Sequence, residues 1–326
     1  MTENEEHKPI LRRIVSLDQF RGFAILGMIL VNYLGRFDSI PDTMKHPNYG
    51  MTFANAIAPF FLFAVGMGFK MSFERQVRKS SLSKGLWTAI KRYFTLILIG
   101  IVIYGPDLKL GIWDALVDIG FAGLITLPFI LTGRWVRITI ALVYLIGYQC
   151  IFSFSAYGEW TMAHSIDGGP LGVLSWASIL IFGTLLMDDL AALDSRSFIR
   201  RSLITGALLM MLGCALSNFE PPTLWQFSQR SMTIAYPLFA AGLCYAVFIF
   251  FYWLSDLRRF EVPHLTALGI NPLVLYIAQN VIIEYHSHIL ERSAPLWQAL
   301  SGGFIIYLIC YAIARYMARN NLIVKI

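Results

Sequence analysis

Ten stretches of this chain are each long and apolar enough to cross a lipid bilayer, and this leaves one broad class of fold. A spanning helix needs about 20 mostly apolar residues. Clean runs of that kind lie at 47–69, 138–158, 168–187, 202–219, 233–254, 265–283 and 294–314. Three more, at 17–35, 86–105 and 112–131, carry charge near one end. Within a bilayer every backbone polar group must bond internally, so such runs read as helices. The expectation is an all-α fold: a polytopic membrane helical bundle of about ten transmembrane helices, forming a single transmembrane domain over 1–326.

Charge supports this and sets an orientation. Only 14% of the residues are charged, against about a quarter in soluble domains, so most of the chain must face lipid or other helices. The net charge of +6 forms no basic face or tail, and no nucleic-acid partner is expected. An even number of spans puts both termini on one side. With the N-terminus inside, only Arg36, Lys45, Lys109, Arg230 and Arg292 of the 26 Lys and Arg residues fall outside. That bias makes both termini cytoplasmic. Tryptophans at span ends (Trp87, Trp113, Trp135, Trp160, Trp225, Trp253 and Trp297) fit interfacial belts. The four cysteines lie in apolar runs without metal-ligand spacing. No metal is expected. No cleavable signal peptide and no Asn-x-Ser/Thr acceptor is visible, which favours the cytoplasmic membrane of a prokaryote.

Ionisable groups inside spans are expensive and mark candidate sites. Only 14 uncharged residues separate Arg21 from Arg36, so Asp18 and Arg21 must enter the inner leaflet, where i, i+3 spacing lets them pair. Arg21 and Asn32 share a helix face, roughly 16 Å apart along the axis. A snorkelling arginine and a packing asparagine explain that spacing equally well. His46, taken alone, reads as a solvated loop histidine, although histidine is the usual proton handler near neutral pH. Asp114 and Asp118 form an i, i+4 pair suited to binding an amine, to orienting His46, or simply to a wet membrane edge. His286 and His288 lack a third ligand for a metal. Glu159, His164 and Asp167 share one outer link, and nothing ranks them.

Ser16-x-Asp18-x-x-Arg21-Gly22, Val31-Asn32-Tyr33, His46-x-x-Tyr49-Gly50-x-Thr52, Pro59-x-Phe61 and Gly269-Ile270-Asn271…Tyr276 occur in this order. Together they resemble the transmembrane acyltransferase superfamily, closest to its heparan-alpha-glucosaminide N-acetyltransferase-like branch. The strong part covers about 12–70 and 265–280. The resemblance implies acetyl-CoA as cytoplasmic donor and an acceptor on the far side of the bilayer, an amino sugar or other glycan. It makes His46 the catalytic base or acetyl acceptor, with Asn32 supporting the thioester carbonyl. Arg21, Asp18, Lys91 and Arg92 would serve the donor, although plain membrane anchoring accounts for Lys91 as well. Tyr49, Asn55, Asp114, Asp118, Asn271 and Tyr276 would serve the substrates. The chain departs from the family's pattern where Asn55 replaces an aspartate and Gln279 a histidine. Tyr49-Gly50 is also one residue shorter than the usual Trp-x-Gly, and Asp114 to Gly120 replaces a Leu-Gln-Arg-Ile-Gly segment. A transporter or flippase, or an inactive homologue, stays open as an alternative, and so does homo-oligomerisation. The absence of an internal repeat argues against a transporter.

Overall fold

A computed structural model describes residues 14–105, 113–287 and 289–324. Lys109 and His288 lie outside them, as do residues 1–13 and 325–326. The described residues are helices and links. The helices are α1 (Val15–Leu34), α2 (Phe53–Lys79), α3 (Leu82–Tyr104), α4 (Ala115–Thr126), α5 (Arg134–Phe154), α6 (Tyr157–His164) and α7 (Gly169–Ala192). They continue with α8 (Ser195–Leu216), α9 (Pro222–Trp225), α10 (Ala235–Phe251), α11 (Pro263–Ile270), α12 (Pro272–Ser287) and α13 (Leu296–Arg319).

Six of these helices, α2, α3, α5, α7, α8 and α13, are long and apolar enough to cross a membrane, as is α10 with its π-helical extension Tyr252–Leu257. The chain is therefore an integral multi-pass membrane protein. The run at 265–283 is not one straight span as expected. It is broken into α11 and α12, which meet at 91°. Pro272 has no N–H to give back to α11, and it pushes the residue before it out of helical geometry. Asn271 accordingly sits at φ −124°, ψ 59°. The other two expected segments are helical as well. Helix α1 carries Asp18, Arg21 and Asn32, and α4 spans 12 residues before a 3₁₀ turn at Leu127–Phe129.

Helices α2 and α7 are the most buried, while α3, α8 and α13 keep broad apolar faces exposed. Lipid tails give apolar side chains no reason to leave them, so helix association relies on close backbone approach. Gly66 of α2 lies against the Leu180 carbonyl of α7, and Gly183 of α7 against the Phe63 carbonyl of α2. Helices α1 and α11 repeat the device. A Cβ on Gly22 would overlap the Leu265 carbonyl, and one on Gly269 would overlap that of Asp18.

A network of buried charge ties α2, α5, α7 and α8 together. Lys70 pairs with Glu74 at 3.0 Å and with Asp188 at 3.4 Å, and it donates to the Ile130 carbonyl at 2.8 Å. Arg137, only 1% exposed, pairs with Asp188 and donates to Thr184 Oγ1 at 2.9 Å. Asp189 accepts from Arg134 at 2.7 Å and lies 3.4 Å from Arg201. Four of the basic residues that set the expected orientation are thus also structural partners of two adjacent aspartates.

Two outcomes test this packing. Gly22→Val and Gly269→Val should each lower the unfolding midpoint in detergent by several degrees, since overpacking alone costs about 1–3 kcal/mol. Gly147→Val should not, because no atom lies within 4 Å of a Cβ there. Asp188→Asn should destabilise by roughly 3–5 kcal/mol, because it leaves buried Lys70 and Arg137 without their shared counter-charge. Thermal unfolding followed by size-exclusion fluorescence reads both.

Candidate functional site

The link between α1 and α2 builds the first site. Thr52 caps α2, its Oγ1 accepting the Asn55 N–H at 3.3 Å and donating to the Lys45 carbonyl at 3.0 Å. This fixes Asn55 in the first turn beside the loop. Asn55 Nδ2 donates to the Gly50 carbonyl at 3.2 Å, so its Oδ1 is the atom 2.9 Å from His46 Nδ1. An amide oxygen only accepts, so Nδ1 of His46 is the donor, and in the neutral imidazole the lone pair is then on Nε2. Tyr236 donates to the Asn55 carbonyl at 2.7 Å and holds this corner against α10. At Gly50 a φ of +103° turns the chain, and its N–H donates to the Phe227 carbonyl at 2.7 Å.

His46 opens into a cavity of about 1260 Å³ that also takes in Asn32, Asn55, Asp114 and Tyr276. Five of the residues singled out from the sequence therefore share one space. Tyr49 does not line it and is 36% exposed on the loop. Asp118 lies behind Asp114, 2% exposed, with no hydrogen-bond partner for either carboxylate oxygen among the described residues. Gln279, at the family's histidine position, is buried and does not line the cavity.

Several lining residues escaped the sequence reading. Arg36, Gln229, Arg230, Asn280 and Glu284 all reach the cavity. Tyr276, Asn280 and Glu284 recur every four residues along α12, a polar stripe visible in the sequence. Asp167, which the sequence left unranked, also lines the cavity and accepts from Gln229 Nε2 at 2.8 Å. Burial, and then the nearby Asp114, push its carboxyl up to about 7, while the Gln229 hydrogen bond acts the other way.

A second cavity of about 520 Å³ lies toward the other end of α1. Arg21 and Arg92 both line it, with Ser72, Gln76 and Thr88 as further polar groups. Arg21 lies 3.8 Å from Asp18, the pairing expected from their spacing, and its guanidinium fills the space left by Gly68. Lys91 is one residue, and so about 100° of helix rotation, from Arg92. It turns away from the cavity and lies over the Trp87 ring at 5.0 Å. Asn271 lines this second cavity and not the His46 cavity.

The two cavities share their walls. Helices α1, α2, α3, α4 and α12 each contribute residues to both. On α4 the neighbours Ala115 and Leu116 face different cavities, and on α12 the change falls between Val274 and Tyr276. On α1 and α3 the nearest lining residues are seven apart, Arg21 to Met28 and Leu96 to Ile103, which is roughly 10 Å along each helix.

Fold and site define a multi-pass helical membrane protein with a histidine-bearing cavity and an arginine-bearing cavity back to back. Residues 13–180 match the family model for the catalytic region of heparan-alpha-glucosaminide N-acetyltransferase. The chain belongs to that family. It is 32% identical over 114 residues to heparan-alpha-glucosaminide N-acetyltransferase of Mus musculus, covering 34% of this chain and 17% of the relative. To the Homo sapiens protein of the same name it is 34% identical over 110 residues, 31% of this chain and 16% of the relative.

A pH series tests the placement of Asp167. Its carboxyl ionises near 3.8 when unfolded and near 7 when folded. Between those values the unfolded chain releases a proton that the folded chain keeps, so this residue lowers stability as pH rises. Asp167→Asn should therefore gain in melting temperature over wild type from about pH 4 to about pH 7. A difference independent of pH would contradict the burial described.

Proposed function

We propose that the chain is a transmembrane acetyltransferase that moves an acetyl group from acetyl-CoA to an acceptor on the opposite side of the bilayer. The observation that carries this reading is the His46–Asn55 hydrogen bond, in a cavity that also holds Asn32 and backs onto the Arg21–Arg92 cavity. The charge bias makes the Arg21 end cytoplasmic. Arg21 and Arg92 bind the phosphates of CoA, and the pantetheine arm carries the thioester toward Asn32 along α1.

His46 Nε2 is the available base because Asn55 holds the proton on Nδ1. It takes a proton from the acceptor nitrogen as that nitrogen attacks the thioester carbonyl. The Asn32 amide donates to the oxygen as negative charge develops there. Collapse of the intermediate expels CoA thiolate toward the Arg21 side, where it takes up a proton. An acetyl-histidine route needs the same residues, with Nε2 as the attacking atom. The names of the two mammalian relatives point to an amino sugar as acceptor. Asp114, Asp167 and Glu284 line the His46 cavity, alongside Arg36, Lys45 and Arg230, and would offer carboxylates to such an amine. A prokaryotic cytoplasmic membrane is the proposed location.

The break at Asn271–Pro272 favours a second reading, because transporters also place discontinuous helices at their sites. One experiment separates the two. Purified protein is given radiolabelled acetyl-CoA and a panel of amino sugars. Wild type should lose thioester and label an acceptor, His46→Ala should abolish turnover, and Asn32→Ala should lower kcat by about 10²–10³. Failure to bind CoA would reject the acetyltransferase and leave the transporter.

A further inference from the structure

Helix α13 does not simply run out. Leu322 N–H donates to the Met317 carbonyl at 2.9 Å and Asn321 N–H to that of Ala318 at 3.3 Å. With Asn321 at φ +53°, this is a Schellman stop with asparagine in the left-handed position. The stop turns residues 322–324 toward the hinge between α11 and α12. There one side chain receives them. Asn271 Nδ2 donates to the Leu322 carbonyl at 2.8 Å, and its Oδ1 accepts the Val324 N–H at 2.9 Å. A single amide, only 3% exposed, thus copies the pairing of a β-strand on either side of Ile323.

The consequence falls on the Arg21 cavity. Ile323 and Val324 form part of its wall, together with Ile270, Leu273, Arg21 and Arg92. Leu322, Ile323 and Val324 are each about half exposed, so packing alone holds them weakly. The Asn271 bonds are what fix them in place.

We propose that Asn271 is a positioning residue, and that the segment 322–324 it holds is a strap that closes one wall of the donor cavity and sets its affinity for acyl-CoA. The strap supplies apolar contact to the pantetheine arm, while Arg21 and Arg92 hold the phosphates. The affinity part rests on the acetyltransferase reading; the strap itself does not.

The test therefore uses two readouts on the full-length protein. The first is the rate of maleimide labelling of a cysteine placed at Val65, a residue of the same cavity, in a background with Cys150, Cys214, Cys244 and Cys310 replaced by serine or alanine. The second is the KM for acetyl-CoA against kcat. Val324→Pro removes the donated N–H without touching the hinge, and Ile323→Ala removes the side chain that Asn271 presents. Asn271→Ala removes both bonds. Each should speed labelling several-fold and raise the KM for acetyl-CoA at least fivefold, with kcat changing less. Should Asn271→Ala fail to fold, the two tail variants decide alone. Unchanged labelling in Val324→Pro and Ile323→Ala would overturn the strap. Faster labelling in a protein that turns over no acetyl-CoA would keep the strap and reject the enzyme. Faster labelling with an unchanged KM would overturn its role in donor affinity.

Discussion

The backbone contact between α1 and α11 is the constraint on which both cavities depend. Gly22 and Gly269 let two helices approach until the carbonyl of one fills the space where a side chain of the other would stand. In lipid such contact replaces the hydrophobic effect as the force between helices. It fixes Asp18 and Arg21 on one side of the crossing and places Asn271 two residues beyond it. The same rigid α1 then carries Asn32 to the other cavity, so one crossing sets the relation between the two halves of the site.

The charges divide into two kinds. Those around Asp188 and Asp189 are compensated pair by pair and sit between helices. Those in the cavities line open space: Arg21, beside Asp18, and Arg92 in one, and Asp114, Asp167 and Glu284 with Arg36, Lys45 and Arg230 in the other. The first arrangement offsets the expense of charge in a membrane, and the second puts charged groups where a bound molecule can meet them. At the centre of the site stands the hydrogen-bonded pair of His46 and Asn55. Asparagine can orient an imidazole as a carboxylate does, through one accepted hydrogen bond, without adding charge.

Seven of the ten expected spans were legible because length and apolarity decide them, an eighth is the bent pair α11–α12, and the segments at 17–35 and 112–131 are helical without passing that test among the described residues. The break in the run at 265–283 was not legible, because Asn271 and Pro272 interrupt hydropathy too little to split a window, while they change backbone geometry completely. The residues brought together at His46 were legible through their motifs. Asp167, Gln229 and Arg230 were not, because they come from links whose placement depends on tertiary contacts such as the bond from Gly168 N–H to the Arg230 carbonyl. Lys91 and Arg92 were both expected to serve the donor, with membrane anchoring an equal explanation for Lys91. Helical rotation separates them, sending one to the cavity and the other to an exposed tryptophan. The structural duty of Lys70 and Arg137 was hidden by counting cations without asking where Asp188 and Asp189 would lie.

Two chambers that nearly meet pose an electrical problem. A membrane at 100 mV exerts about 2.3 kcal/mol on each elementary charge that crosses it, and that drop falls across whatever is thinnest and driest. Between the two chambers lies the layer around Leu116, where adjacent residues of α4 line different chambers. In the proposed reaction the phosphates of CoA never enter this layer, and the acetyl group that does is uncharged. The charge that does cross belongs to the bond exchange itself: one proton leaves the acceptor on the His46 side and CoA thiolate takes one up on the Arg21 side, so each turnover works with or against the membrane potential.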